Sequence, residues 1–235
     1  LRLTAQEKKR IELRRADVLE YDEGLGHKAR RLIGNVQFEH AGTVMDCDSA
    51  YLYDNNSLDA FGHVFINKGD TMFMWCTTLF YDGETKHAKA RDSVKLDDGE
   101  MILITDTLNH DLNSDVATYF GGGMIRTAKD TLTSTTGTYL SGQKDFYFRE
   151  DVELRNQKYV MNCDTMRFHT STEVAYFLGP TTILSDENTI YCENGWYDTR
   201  NDLSQFNKNA VMYSKAQSIR GDSIFYDRNK GYGEA

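Results

Sequence analysis

Proline and long apolar runs are almost absent from this sequence. Pro180 is the only proline among 235 residues, and no stretch of 18 or more apolar residues occurs. The second absence argues against a transmembrane helix, and nothing at the start of the sequence resembles a signal peptide. Since 40% of the residues are hydrophobic and 27% are charged, the composition still allows a buried core beneath a solvated surface.

Residue patterns of common catalytic and metal-binding sites are absent as well. The sequence contains no GxSxG, HExxH or CxxC motif, and its six histidines are scattered. Segment 111–115 alternates oxygen-bearing side chains as a calcium loop does, but it lacks the glycine and the distal glutamate of such a loop. We therefore predict a protein that is not an enzyme and that holds neither a metal ion nor a cofactor.

Positive charge is in deficit. The sequence has 27 Lys and Arg against 36 Asp and Glu, which gives a net charge of −9. Because binding to nucleic acid depends on a basic stripe that neutralises phosphates, this balance argues against nucleic acid as a partner.

What the sequence does contain is a 29-residue repeat. One register reads Asp48, Thr77, Asp106, Thr135, Asp164, Glu193 and Asp222. The position before it holds small residues, and the position after it holds Ser, Thr or Asn. A fixed period of this size indicates stacked units that share a continuous core. We predict one domain over residues 1–235, with an incomplete leading repeat at 1–33 and about seven repeats at 34–235 that end in mid-repeat.

Each repeat has the pattern of two strands and two turns. Three positions before the register, an apolar column reads Met45, Met74, Leu103, Leu132, Met161, Ile190 and Ile219. Apolar pairs spaced by two residues, such as Val36 with Phe38 and Val94 with Leu96, follow the period of a strand. Turn residues such as Gly42, Gly69 and Asn56 separate these segments.

Two bends are predicted in each repeat. Glycines inside strands, at Gly62, Gly121 and Gly179, are typical of one bend. The second is expected at the register itself, because the apolar positions before Asp48 and after Ser49 have opposite parity and only a bulge would turn both inward. The acids of the register recur along the chain, so we interpret them as structural and not as a catalytic pair.

The four cysteines lie at matched positions of neighbouring repeats. Cys47 and Cys76 are one period apart, and so are Cys163 and Cys192. In a solenoid such positions would be about 4.8 Å apart, whereas an antiparallel meander would separate them by roughly 9.6 Å, too far for a disulfide. Since the other residues of this column are small, buried thiols are favoured, with a disulfide as the alternative.

The order of these motifs resembles the OstA-like family of periplasmic, LptA-like bridge proteins of lipopolysaccharide transport. The resemblance rests on residues 34–36, 47–54 and 59–64, and it recurs through 106–116, 164–175 and 222–235. It departs from the family's Gly-x-Val pattern at Gly123, Pro180, Thr181 and Ala210.

The resemblance implies an all-β fold, namely an elongated, open, V-shaped antiparallel β-jelly roll built from two-strand repeats. It also implies a periplasmic protein, with outer-membrane association left open, that carries lipopolysaccharide toward the outer membrane along an apolar groove. Implied partners are the acyl chains of lipopolysaccharide and either other bridge components or a second copy, joined head to tail through edge strands. The groove candidates are Val36, Phe38, Met45, Phe61, Met74, Tyr81, Val94, Leu103, Leu132, Phe148, Val152, Met161, Phe168, Phe177, Tyr197 and Ile219.

Two other interpretations fit a repeat protein. A parallel β-helix that binds or cleaves an extracellular polysaccharide would stack the matched cysteines closely and display an exposed carboxylate or aromatic cluster. A structural or adhesive surface repeat would need no ligand.

Overall fold

The computed structural model describes residues 10–22, 29–215 and 217–235, with Asp22 described only in its backbone. The chain divides into two compact units, residues 1–113 and 114–235. The single domain expected from the repeat remains a prediction, and residues 1–9 and 23–28 of the predicted leading repeat lie outside the described ranges. No helix within those ranges is long and apolar enough to cross a membrane.

The first unit is an antiparallel meander. Its strands are β1 (Glu12–Arg15), β2 (Val18–Asp22), β3 (Ala29–His40), β4 (Thr43–Tyr53), β5 (Leu58–Lys68), β6 (Met72–Asp82), β7 (His87–Asp97) and β8 (Ile102–Asp111). From β3 to β8 each strand pairs with the next, and β1 and β2 both pair with β3.

The second unit continues the same pattern. Its strands are β9 (Val116–Arg126), β10 (Thr131–Leu140), β11 (Asp145–Arg155), β12 (Tyr159–His169), β13 (Val174–Ser185), β14 (Asn188–Asp198), β15 (Leu203–Ser214), β16 (Ser218–Asp227) and β17 (Tyr232–Glu234), with a short 3-10 turn at Ser141–Gln143. Each strand pairs antiparallel with its sequence neighbour. The all-β antiparallel prediction is confirmed, and the alternative of a parallel β-helix is wrong because its strands would have to pair in parallel.

The alternation of buried side chains reverses once within strands that carry the register, such as β4, β6 and β12, whereas in the strands between them, such as β5 and β11, the buried residues keep one parity across the bulge. In β4, Met45 and Cys47 are buried before the register, and Ala50 and Leu52 are buried after it. The pairing shifts at this point, since Val36 faces Cys47 while Ile33 faces Ser49. Both halves of the strand therefore turn apolar side chains to the same side, which confirms the predicted bulge.

The extra residue of each bulge belongs to the adjacent strand and not to the register strand. In β5, Gly62 and His63 both adopt left-handed backbone, with φ of 72° and 42°. Asp92 with Ser93, Glu150 with Asp151 and Lys208 with Asn209 do the same in β7, β11 and β15. The glycine bend and the register bend, which the sequence presents as two features, are thus one bulge seen from two strands.

Acids of the register hold these bulges from the facing strand. Asp48 Oδ2 lies 2.8 Å from His63 Nδ1, and a Cβ added to Gly62 would meet the same oxygen at 2.2 Å. In the last bulge, Asn209 Nδ2 donates to Glu193 Oε1 at 2.7 Å. Asp17, which lies before the register in the leading repeat, accepts from Asn35 Nδ2 in the same way, at 2.8 Å. These contacts give the acids a structural role.

Tyr119 explains one departure from the repeat. Its ring lies against Gly123 and Gly137, where an added Cβ would come within 2.4 Å and 2.2 Å of ring carbons. Its hydroxyl lies 2.6 Å from Ser134 Oγ. The ring occupies the space that a valine at position 123 would fill, so the valine column fails there for steric reasons.

The four cysteines are buried and free. Burial is the main reason that the pKa of the Cys47, Cys163 and Cys192 thiols rises to about 12 and that of Cys76 to about 11. A strand of opposite direction lies between matched cysteines. The column therefore selects small buried side chains, as predicted for a meander.

Candidate functional site

The candidate site is the interior face of each unit, meaning the side to which both halves of each bent strand turn their apolar residues. Twelve of the predicted groove residues are buried on it: Val36, Phe38, Met45, Met74, Val94, Leu103, Leu132, Phe148, Val152, Met161, Phe177 and Tyr197. Tyr81, Phe168 and Ile219 are half-buried. Burial shows that these residues form the interior, whereas their contact with a ligand stays a prediction.

Phe61 lies on the opposite face. Its ring packs edge-on against Tyr51 and Phe80, with centroids 6.4 Å and 5.9 Å away, and Phe80 is exposed. Ala60 is fully buried in its place and faces Leu79, which faces Ala90 on the other side. The structural equivalents are thus 30 residues apart here, so a fixed 29-residue spacing assigns Phe61 to the wrong face.

In the second unit, the interior contains a cavity between the two halves of the bent strands. Its volume is about 50 Å³, and it is partly open to solvent. It is lined by Tyr159, Met161, Ile183, Ser185, Glu187, Asn188, Ile190, Tyr197, Ser204, Phe206, Tyr226 and Arg228. Ligand cavities commonly span roughly 300–1,000 Å³ and have mainly apolar walls with a few polar groups. This cavity has such walls but is much smaller, so a ligand would enter it only if the two strand halves moved apart.

Two tyrosines form one wall of the cavity. The Tyr159 and Tyr197 rings meet edge to face, with centroids 5.5 Å apart. The Tyr197 hydroxyl donates to Asp202, which also accepts from Lys158 Nζ at 3.3 Å. Burial, followed by the nearby Asp202 carboxylate, raises the pKa of Tyr197, so the hydroxyl stays protonated at neutral pH.

The family model of OstA-like proteins matches residues 8–164, more than half of the chain. The chain belongs to the OstA-like family. Among solved structures, it is similar to LptH from Pseudomonas aeruginosa, described as the LptA homologous periplasmic component of the lipopolysaccharide transport device. The two share 13% identity over 44% of this chain and 79% of LptH, with a TM-score of 0.41. No curated protein matches the sequence.

The first unit of this OstA-like protein has a different kind of depression. It lies beside Phe80, on the face opposite to the interior, and its lining is largely polar, with Asp59, Asp82, Glu84 and Lys89. In the described part of the chain, no group of His, Cys, Asp and Glu side chains has an arrangement that could hold a metal ion. The depression therefore offers a solvated charged surface and not an apolar site.

Aromatic side chains also cluster on the outer face of the first unit. Phe65 contacts both Phe73 and Trp75, with ring centroids 6.3 Å and 5.4 Å away, and those two rings are 6.2 Å apart. Lys95 Nζ lies 4.6 Å from the centre of the Trp75 ring. Trp75 is 37% exposed. The cluster matches one expectation for a polysaccharide platform, but the strands that carry it are antiparallel.

The repeat pattern did not single out Tyr159 and Arg228, which line the cavity. Tyr159 stands five positions before the register, where other repeats hold Met72, Asp130 and Asn188. A column of mixed character gives no periodic signal. The alternation of Tyr159 with Met161 and Cys163 was the only clue that Tyr159 faces inward.

Proposed function

We propose that this OstA-like protein is a non-enzymatic periplasmic bridge component that binds the acyl chains of lipopolysaccharide and passes the lipid toward the outer membrane. The observation that carries the proposal is the apolar interior between the two halves of bent strands, with a cavity in the second unit. Transfer of each methylene from water to such an interior is favourable by about 0.8 kcal/mol, so a few carbons of an acyl chain give appreciable affinity.

Methionines suit this interior because they adapt to acyl chains of different shape. Met45, Met74 and Met161 are all buried on the interior face. Their unbranched, polarisable side chains can repack around a guest at low cost. Opening of the two strand halves would then admit a chain into space that the methionines fill in its absence.

An exposed edge supports the association of bridge components. Among the described strands, β2 pairs only with β3, and it exposes Val18, Leu19 and Tyr21 by 45%, 53% and 59%. An unpaired edge with large apolar side chains can accept a strand of a second copy or of another bridge component. We propose head-to-tail pairing at this edge.

Site-specific photocrosslinking in cells tests the lipid cargo. A crosslinking residue at Met74, Met161 or Phe168 should give adducts with lipopolysaccharide, because these positions face the interior. The same residue at Phe120, which is 41% exposed, is the control and should give few. Folded protein without adducts at any interior position, or with equal adducts at Phe120, would contradict the proposed function.

A further inference from the structure

We propose that the cavity of the second unit has a polar end, formed by Tyr159 and Arg228, that binds the anionic head group of an amphiphile whose acyl chain fills the apolar end. This deepens the proposed function and rests on it, because it assumes that the interior accepts an acyl chain. It adds a subsite for phosphate or carboxylate to a surface that otherwise recognises only apolar chains.

Polar and apolar lining residues occupy different depths of the cavity. Tyr159 and Asn188 begin β12 and β14, Ser185 ends β13, and Arg228 directly follows β16, so all four lie at strand tips. Met161, Ile183 and Ile190 lie two residues further into the same strands. An amphiphile would therefore enter with its chain inward and keep its head group at the tips.

The Tyr159 hydroxyl is an unused donor at the polar end. The residue is only 6% exposed, and its hydroxyl oxygen has no hydrogen-bond partner among the described residues. A buried hydroxyl without a partner is rare and costly, so the site is incomplete as it stands. Burial, with smaller contributions from Tyr197 and Asp130, raises the pKa of Tyr159, while the nearby Asn156 side chain and Arg228 oppose this without reversing it, so the group remains a neutral donor.

Arg228 supplies positive charge and forms no ion pair with a described carboxylate, although it lies beside the Tyr197 hydroxyl and close enough to Asp202 to help lower the pKa of that carboxyl. The two nearby acids already have partners: Asp202 binds Lys158 at 3.3 Å, and Asp227 binds Lys230 Nζ at 2.9 Å. Arg228 has no carboxylate within ion-pair distance in the described ranges, and its side chain is half-buried. A guanidinium in this state matches the geometry of a phosphate or carboxylate.

Acids near the same end limit the strength of the subsite. Asp130 lies close enough to raise the pKa of Tyr159, and Asp202, which is paired with Lys158, accepts from Tyr197. Glu187 lines the cavity and is exposed. Because exposed charges are screened by water and salt, its repulsion of an anion is weaker than the attraction of the half-buried Arg228. An anionic head group is thus favoured over a cationic one.

Calorimetric titration of the purified full chain tests the subsite with three probes below their micellar concentrations: octyl phosphate, octyl glucoside and inorganic phosphate. Octyl phosphate should bind about tenfold more tightly than octyl glucoside, because only it forms charge-assisted hydrogen bonds. Arg228→Gln should abolish this preference and leave octyl glucoside binding unchanged. Arg220→Gln, an exposed change in β16 outside the cavity, is the matched control and should keep the preference.

Tyr159→Phe separates binding from folding. It should weaken octyl phosphate binding about threefold while the free energy of unfolding stays level or rises, because it removes an unpartnered buried hydroxyl. A loss of stability in this variant would assign the hydroxyl a structural role and overturn its part in the site.

The remaining outcomes are distinct. The anionic subsite would be overturned if Arg228→Gln kept the preference for octyl phosphate over octyl glucoside, or if Arg220→Gln lost it to the same extent. In either case, binding of octyl glucoside would still support the proposed function. If inorganic phosphate binds as tightly as octyl phosphate, the site is one for a free anion, and the proposal that it binds an amphiphile is overturned. Failure of both octyl probes to bind would contradict the proposed function as well.

Discussion

The two units share a repeat but place their aromatic rings on different faces. In the described part of the first unit, Phe38 is the only aromatic residue in the buried core, and the rings of Phe61, Phe65, Phe73 and Trp75 lie on the outer face. The second unit buries seven: Tyr119, Phe146, Phe148, Tyr159, Phe177, Tyr197 and Phe206. The repeat therefore determines strands and bulges, while the residues between them decide what fills the interior.

The difference has consequences for binding. Small aliphatic side chains pack a narrow interior without voids. Large rings have preferred contact geometries and leave space where they meet edge to face. The cavity of the second unit lies beside such a pair, Tyr159 and Tyr197. A ligand site is thus expected where rings have replaced aliphatic side chains.

Truncation of an interior ring should have the largest effect. Phe177→Ala removes a fully buried ring that stacks on Phe206 at 6.2 Å, and we expect the free energy of unfolding to fall by about 3–5 kcal/mol. Phe80→Ala, on the outer face of the first unit and 38% exposed, should cost well under half of this. Urea unfolding measures both. Equal losses would show that the two faces contribute alike and would remove the contrast between the units.

Filling the space against Tyr119 should have an intermediate effect. Gly137→Ala places a Cβ 2.2 Å from the Tyr119 ring, so the ring must shift, at a cost of about 1–3 kcal/mol. Gly142→Ala meets nothing within 4 Å and should change stability by less than about 0.5 kcal/mol. Thermal unfolding of the two variants is the measurement. If Gly137→Ala is neutral, the interior of the second unit is less tightly packed than its ring contacts indicate.

The bulges should show the smallest effect, with an opposite sign. Lys208 adopts left-handed backbone in the second unit, with φ of 57°, where the first unit uses Gly62. Lys208→Gly should raise the free energy of unfolding by up to about 1 kcal/mol, because glycine takes this conformation without steric cost. Lys89→Gly, in a strand with ordinary backbone, should instead lower it by a similar amount. If both variants lower the free energy of unfolding, the contacts of the Lys208 side chain stabilise the fold by more than its left-handed backbone costs.

Much of the fold could be predicted from columns of the repeat. Parity around Asp48 predicted the bulge, because only a reversal of alternation lets Met45 and Leu52 share one side. The sequence could not show that the extra residue lies on the facing strand, since register and glycine columns look like independent features until strands are paired. The prediction that Phe61 faces the interior was wrong, because the spacing between the equivalent positions of the first two repeats is one residue longer than the fixed period.

The candidate site was less predictable than the fold. The positions of interior residues such as Met161 and Phe177 hold similar side chains in successive repeats and are visible as columns, whereas the side chains of Tyr159 and Arg228 do not recur at the matched positions of other repeats. Their relation depends on the bend, which brings the start of β12 and the end of β16 to the same cavity although they are distant in sequence. No periodic pattern encodes that proximity.

The buried cysteine column bears on the redox chemistry of the chain. Thiol–disulfide exchange needs an accessible thiolate, and thiols with a pKa of about 11 to 12 are almost wholly protonated at neutral pH. The folded protein should therefore be inert toward oxidants and toward mixed disulfides even in an oxidising compartment. The four sulfurs are vulnerable only before the strands pair, so the time that the chain spends unfolded, and not the environment in which it works, sets its exposure to mispairing.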